Sequence, residues 1–160
     1  MDDEEQRAQD SILWRTIWSI PVPNKIKNLM WRACRNSLPT KENLVRRTVI
    51  ECRTCDRCKH VPESALHAMW SYHELDVVWE NDAQWKCRRN QTFVDFKELL
   101  LWLIINQRDL NFFCTMAWFI WTQRNRLHLN KVTVSSYQIA ATARDHIAEF
   151  AQTITTPMFP

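Results

Sequence analysis

The chain has 160 residues, 46% of them hydrophobic and nine of them tryptophan, enough for one domain with a buried core. It contains no glycine, where average usage would supply roughly eleven, and this excludes glycine-rich phosphate loops and dinucleotide fingerprints. The net charge of +3 is unevenly spread: residues 25–59 hold ten Lys or Arg against three acids, and residues 60–83 hold five acids and no Lys or Arg.

MDDEEQRAQD is an acidic opening without the apolar run of a secretory signal, so it reads as a tail over residues 1–10. Asp10 and Ser11 are candidate caps for a short helix carrying Ile12, Trp14, Ile17 and Trp18 at helical spacing. Pro21 and Pro23 stop it, and Pro23 suits the first turn of a second helix that buries Ile26, Leu29, Met30, Ala33 and Ser37, with Trp31 and Cys34 widening the face. Thr40 caps a third, short helix through Arg47, with Leu44 and Val45 facing inward. Residues 62–80 read as one or two helices carrying Leu66, Met69, Trp70, Leu75, Val78 and Trp79, with His67 on the first and Glu63 and Glu74 solvated. Residues 81–91, NDAQWKCRRNQ, are polar and read as a loop. From Thr92 a helix with a broad apolar face is expected, then a buried one over 109–130, then an amphipathic one over 135–154 with Tyr137, Ile139, Ala143, Ile147 and Phe150. Without glycine, helix ends fall to asparagine and proline, and Asn24, Asn36, Asn90, Asn106 and Asn130 stand near such ends. The longest apolar runs are broken by polar residues well short of a membrane span. A soluble, intracellular protein, nuclear or cytoplasmic, is expected, its thiols free.

The chemistry concentrates in residues 49–73, which hold Cys52, Cys55, Cys58, His60, His67 and His73. Cys55 and Cys58 have the spacing that lets one tight turn aim two thiolates at a single Zn²⁺, and His67 follows. Thioredoxin-like redox pairs share the spacing but need a βαβ context that is missing here, and a lone pair is also compatible with ordinary cysteines. The basic stretch around them, Lys25, Lys27, Arg32, Arg35, Arg46, Arg47, Arg53, Arg57 and Lys59, suits phosphate backbones, RNA or DNA. The alternative is that these are solvated faces of amphipathic helices, their stems covering apolar surface.

WRTIWSIPVPNKIKNLMWRACRNSLPTKENLVRR from Trp14, followed by CRTCDRCKHVPESALHAMWSY, resembles the zinc-binding domain that follows the reverse transcriptase in plant non-LTR retrotransposons. The landmarks are Trp14, Trp18, PNKIK, Trp31, Arg32, LPT before Asn43 and Leu44, the cysteine pair, Glu63, Ser64 and His67. The resemblance implies Cys55, Cys58 and His67 as zinc ligands with a cysteine five residues after the histidine, and that position is Tyr72. A neutral phenol is a poor zinc ligand, which leaves His73, then Cys52, then His60 as substitutes, or water. WFIWTQRNRLHLN resembles the segment between zinc domain and ribonuclease H domain; its tryptophans and Arg124 could stack bases, although that spacing more often marks a core.

These observations predict a mainly α chain: a small helical domain with a zinc knuckle over 11–80, a linker over 81–91 and a helical region over 92–156 that precedes a missing ribonuclease H domain. The predicted function is that of a zinc-binding, nucleic-acid-associated module from a retrotransposon polyprotein. The clustered carboxylates of two-metal catalysis are not expected, so no enzymatic activity is. The alternative is a helical protein-interaction domain, bound to a protein partner and lacking a working zinc site.

Overall fold

A computed structural model describes residues 2–155; Met1 of the expected tail and residue 156 of the expected helical region lie outside the described residues. The fold is mainly α, as expected, with no strand among the described residues beyond an isolated bridge between Thr54 and Pro62. No helix is long and apolar enough to cross a membrane.

Helix α1, Asp3–Ser19, begins seven residues before the expected cap at Asp10. The Asp2 side chain accepts from the Glu4 N–H, and Asp3, Glu4 and Glu5 fill a first turn whose free N–H groups favour negative charge. The acidic stretch is therefore helical. Asp10 instead pairs with Lys97 at 2.5 Å. The buried face of α1 is Leu13 and Ile17, continued by Ile20, while Ile12 and Trp18 turn to solvent, contrary to expectation.

Helix α2, Asn24–Cys34, buries Ile26, Leu29, Met30, Ala33 and Cys34, whereas Trp31 and Ser37 stay half-exposed. In α3, Lys41–Arg46, Thr40 caps as predicted, but the buried residue is Asn43 and not Leu44 or Val45. Its amide donates to the carbonyls of Leu38 (2.8 Å) and Asn36 (3.1 Å), closing the SLPT turn. Asn36 and Asn130 adopt the left-handed conformation just past a helix end, where other chains use glycine, but Thr48 and Gln107 do so too. For Thr48, at φ 59° with a branched Cβ, this costs about 1–2 kcal/mol.

After the short α4, Asp76–Trp79, the expected loop over 81–91 contains two helical turns, Ala83–Trp85 and α5, Cys87–Asn90. Trp85 is only 2% exposed. It is drawn in by Phe113 of α7, Leu110–His128, whose ring lies 5.2–6.1 Å from those of Trp70, Trp79, Trp85 and Phe96. Helix α6, Phe96–Ile105, packs against α1 and α2, and α8, Ile139–Thr155, lies along α7. Ile139 and Ala143 are the buried contacts of α8, and Tyr137 is exposed against expectation. Trp121 and Arg124 are core residues, the guanidinium 4.8 Å from the indole centroid.

The largest departure from the sequence reading is Glu63, fully buried and not solvated. It is ion-paired with Arg124 of α7, with Arg124 Nε donating at 3.1 Å, and it also accepts from the Lys41 N–H at 3.1 Å. Arg124 reaches the Pro39 carbonyl as well, at 3.4 Å. Burial pushes the Glu63 carboxyl up, but the hydrogen bonds and charge of Arg124 outweigh it and hold its pKa below the ordinary glutamate value. A carboxyl with a depressed folded pKa contributes stability that is present above its unfolded value and lost as pH falls through the folded one. Arg124→Met, which strands the buried carboxylate, is expected to cost about 3–5 kcal/mol in denaturant unfolding. In Glu63→Gln the acid limb of the stability–pH curve should flatten; a limb of unchanged shape would remove this carboxylate from that role.

Candidate metal centre

Residues 52–63 form a loop closed on itself: Cys55 N–H donates to the Val61 carbonyl at 2.8 Å and Glu63 N–H to the Arg53 carbonyl at 2.9 Å. At its tip Lys59 N–H donates to the Cys55 carbonyl at 2.8 Å, with Lys59 itself at φ 63°. This turn presents Cys55 and Cys58 on one side. Ser64 then starts the next helix, its hydroxyl accepting the His67 N–H at 3.0 Å.

One thiolate-forming sulfur from each cysteine and a ring nitrogen of His67 lie within 4.8 Å of one another. Cys58 Sγ and His67 Nε2 are 3.4 Å apart. Zinc bonds of about 2.3 Å to sulfur and 2.0–2.1 Å to nitrogen at tetrahedral angles put ligand atoms about 3.5–3.8 Å apart, so the three donors fit such an ion. Electrostatics agree with the fit. Burial pushes the Cys58 thiol up, but N–H groups of His60 and Val61 aimed at the sulfur outweigh this and hold it below the usual cysteine value. Burial, helped by the Arg57 charge, lowers the His67 pKa and keeps the imidazole in its neutral, metal-binding form.

His67 opens a π-helical turn, His67–Ser71, with the Tyr72 N–H donating to the His67 carbonyl at 3.0 Å. An i→i+5 turn brings positions 67 and 72 to the same side, where a regular α-helix would set them well apart. Position 72 therefore flanks the site, and its ring centroid lies 5.8 Å from that of His67. The phenol is turned to another partner: its hydroxyl donates to Glu74 at 2.7 Å, and burial together with that carboxylate pushes its pKa up to about 12. At Tyr72 the backbone leaves the helical region (φ −54°, ψ 125°) and enters the short turn His73–Leu75. This carries the exposed His73 outside the group of three, its ring edge-on to Tyr72 at 5.0 Å. Cys52 and His60, both exposed, are outside it too, the Cys52 thiol being hydrogen-bonded from Thr54.

Two arginines that sequence reasoning left without a positioning role hold the π-turn in place. Arg88, from the segment read as a loop, donates to the Trp70 (2.7 Å) and Tyr72 (2.9 Å) carbonyls and pairs with Asp76. Arg57 donates to the Ala68 carbonyl at 2.9 Å and stacks on Tyr72, 4.4 Å from its ring centroid. A π-turn frees carbonyls from the regular ladder, and these guanidinium groups satisfy them. No local sequence signal announces either contact, since each joins residues at least eleven positions apart. Replacing Tyr72 with cysteine is expected to complete the ligand set and tighten zinc binding by about tenfold or more in chelator competition; unchanged affinity would mean that position 72 does not face the ion.

Residues 3–79 match the family model described as zinc-binding in reverse transcriptase. A protein of Arabidopsis thaliana named as a putative ribonuclease H protein is 26% identical over 131 residues, covering 76% of this chain and 21% of that protein, so the chain spans about a fifth of its relative's length. No solved structure matches. Residues 3–79, which carry the two cysteines and the histidine of the knuckle, are thus similar to the zinc-binding domains of reverse transcriptases.

Proposed function

We propose that the chain is a non-catalytic zinc-dependent module that associates with nucleic acid and derives from a retrotransposon reverse transcriptase polyprotein. The convergence of Cys55, Cys58 and His67 carries this reading. These three residues would hold zinc, with His73 or a water molecule as the fourth ligand. Bound zinc would cross-link the loop to the π-turn and add its binding free energy to folding.

The charge distribution supports the nucleic-acid half. Among the described residues, none of Lys25, Lys27, Arg32, Arg35, Arg46, Arg47, Arg53, Arg57 and Lys59 enters an ion pair. The pairs go instead to Lys41, Arg88, Arg89, Lys97, Arg124 and Arg144. Several of the nine touch carbonyls or rings, as Lys25 does Trp118 at 4.3 Å and Arg46 the Asn36 carbonyl at 3.3 Å, but such contacts leave the charge unneutralised. Unpaired cations of this kind release counterions from a phosphate backbone. One observation favours the rival reading, a protein-interaction domain without zinc: the Tyr72 hydroxyl is committed to Glu74 where the family has its fourth ligand.

Metal analysis of purified protein should find stoichiometric zinc, reduced in Cys55→Ser with a lower Tm, and reduced in His73→Ala if that ring is the fourth ligand. Metal-free protein whose Tm ignores Cys55→Ser would leave only the rival. Nucleic-acid affinity should fall steeply with salt, and Arg47→Ala and Arg53→Ala should each reduce the log–log slope by roughly one.

A further inference from the structure

Seven of the nine tryptophans lie in the hydrophobic core or pack against it; Trp18 and Trp31 do not. Trp18 is 46% exposed at the end of α1, and Trp31 is half-exposed on the outer side of α2. Each meets a cation of the α2 segment, Trp18 through its backbone carbonyl and Trp31 through its ring. Lys27 Nζ donates to the Trp18 carbonyl at 3.0 Å, and the Arg35 guanidinium covers the Trp31 ring at 4.9 Å. Lys27, Trp31 and Arg35 are spaced by four residues and so form one inclined row, cation, indole, cation, about 12 Å long. Arg32 and Asn28 lie in the adjacent row, exposed, and α2 contains no acid. None of Lys27, Arg32 and Arg35 is ion-paired among the described residues.

We propose that this face of α2, with Trp18 at its edge, is a stacking strip for single-stranded nucleic acid: bases lie on the indoles of Trp18 and Trp31 while Lys27, Arg32 and Arg35 meet the phosphates. The inference rests on the nucleic-acid reading above and narrows it. A duplex hides its base faces within the stack, so it has no use for exposed indoles and would answer to charge alone. A single strand offers a π-face at every nucleotide whatever its sequence, and alternation of aromatic and basic side chains is the arrangement that such a strand rewards. Arg35 already lies on the Trp31 ring, the position that a base would share or take over.

The test is fluorescence anisotropy with labelled mixed-sequence single strands, one RNA and one DNA, and with the duplex of the same sequence, all at one salt concentration. A single strand should bind more tightly than the duplex. Trp18→Ala and Trp31→Ala should each weaken single-strand binding about fivefold or more without altering the salt slope, and Trp31→Phe should retain most of the affinity. Because neither indole packs on the core, the variants should keep the wild-type Tm; if Trp31→Ala does not, Trp18→Ala and Trp31→Phe decide. Duplex binding as tight as single-strand binding, or tryptophan variants that bind like wild type while Arg32→Ala and Arg35→Ala weaken binding, overturns the strip and leaves charge-driven association standing. Absence of salt-sensitive binding in every arm overturns the broader reading along with it.

Discussion

The buried pair between Glu63 and Arg124 is the contact on which the arrangement of the whole chain depends. Glu63 ends the cysteine loop, caps the first turn of α3 and anchors in α7, so one carboxylate links three pieces that the backbone connects only through long detours. Neither partner could be buried alone, because an unpaired charge in the interior costs several kcal/mol. Arg124 spreads its remaining donors over the Pro39 carbonyl and Asn125, and its plane over Trp121. The result is a fixed platform under the loop that carries Cys55 and Cys58.

On that platform the metal centre is built from two unlike pieces. The loop is held by hydrogen bonds across its own neck, whereas the π-turn with His67 is held from outside by Arg57 and Arg88. A π-turn is an unfavourable way to continue a helix, and its persistence here follows from those outside partners. Its geometric effect is to align position 72 with position 67 on the side of the two cysteines. Tyr72 takes that place with its ring near both Arg57 and His67 and its hydroxyl on Glu74.

The cations divide by use. Those paired with acids stitch elements together, as Lys97 ties α6 to α1 and Arg88 ties α5 to α4. Those between Lys25 and Lys59, Lys41 excepted, enter no ion pair among the described residues. A surface ion pair adds little to stability, so leaving these cations unpaired costs the fold little while preserving a strong field for an anionic partner.

The sequence by itself determined whatever depends on near neighbours. The apolar spacing of α2, α6 and α7 and the cap at Thr40 are set by residues within a few positions of one another, the grouping of Cys55, Cys58 and His67 by residues within twelve, and they were legible. The extent of α1 was less so, because an acidic stretch reads as a tail until Asp2 and the helix dipole are seen to stabilise it. Only the tertiary structure decided that Glu63 is buried, since its partner lies 61 residues away. It likewise decided that Trp85 belongs to the core through Phe113 and that His73 stands outside the group of three while Tyr72 flanks it. Long-range pairing leaves no periodic trace in a single chain: whether a charge or an indole goes inside depends on what meets it there.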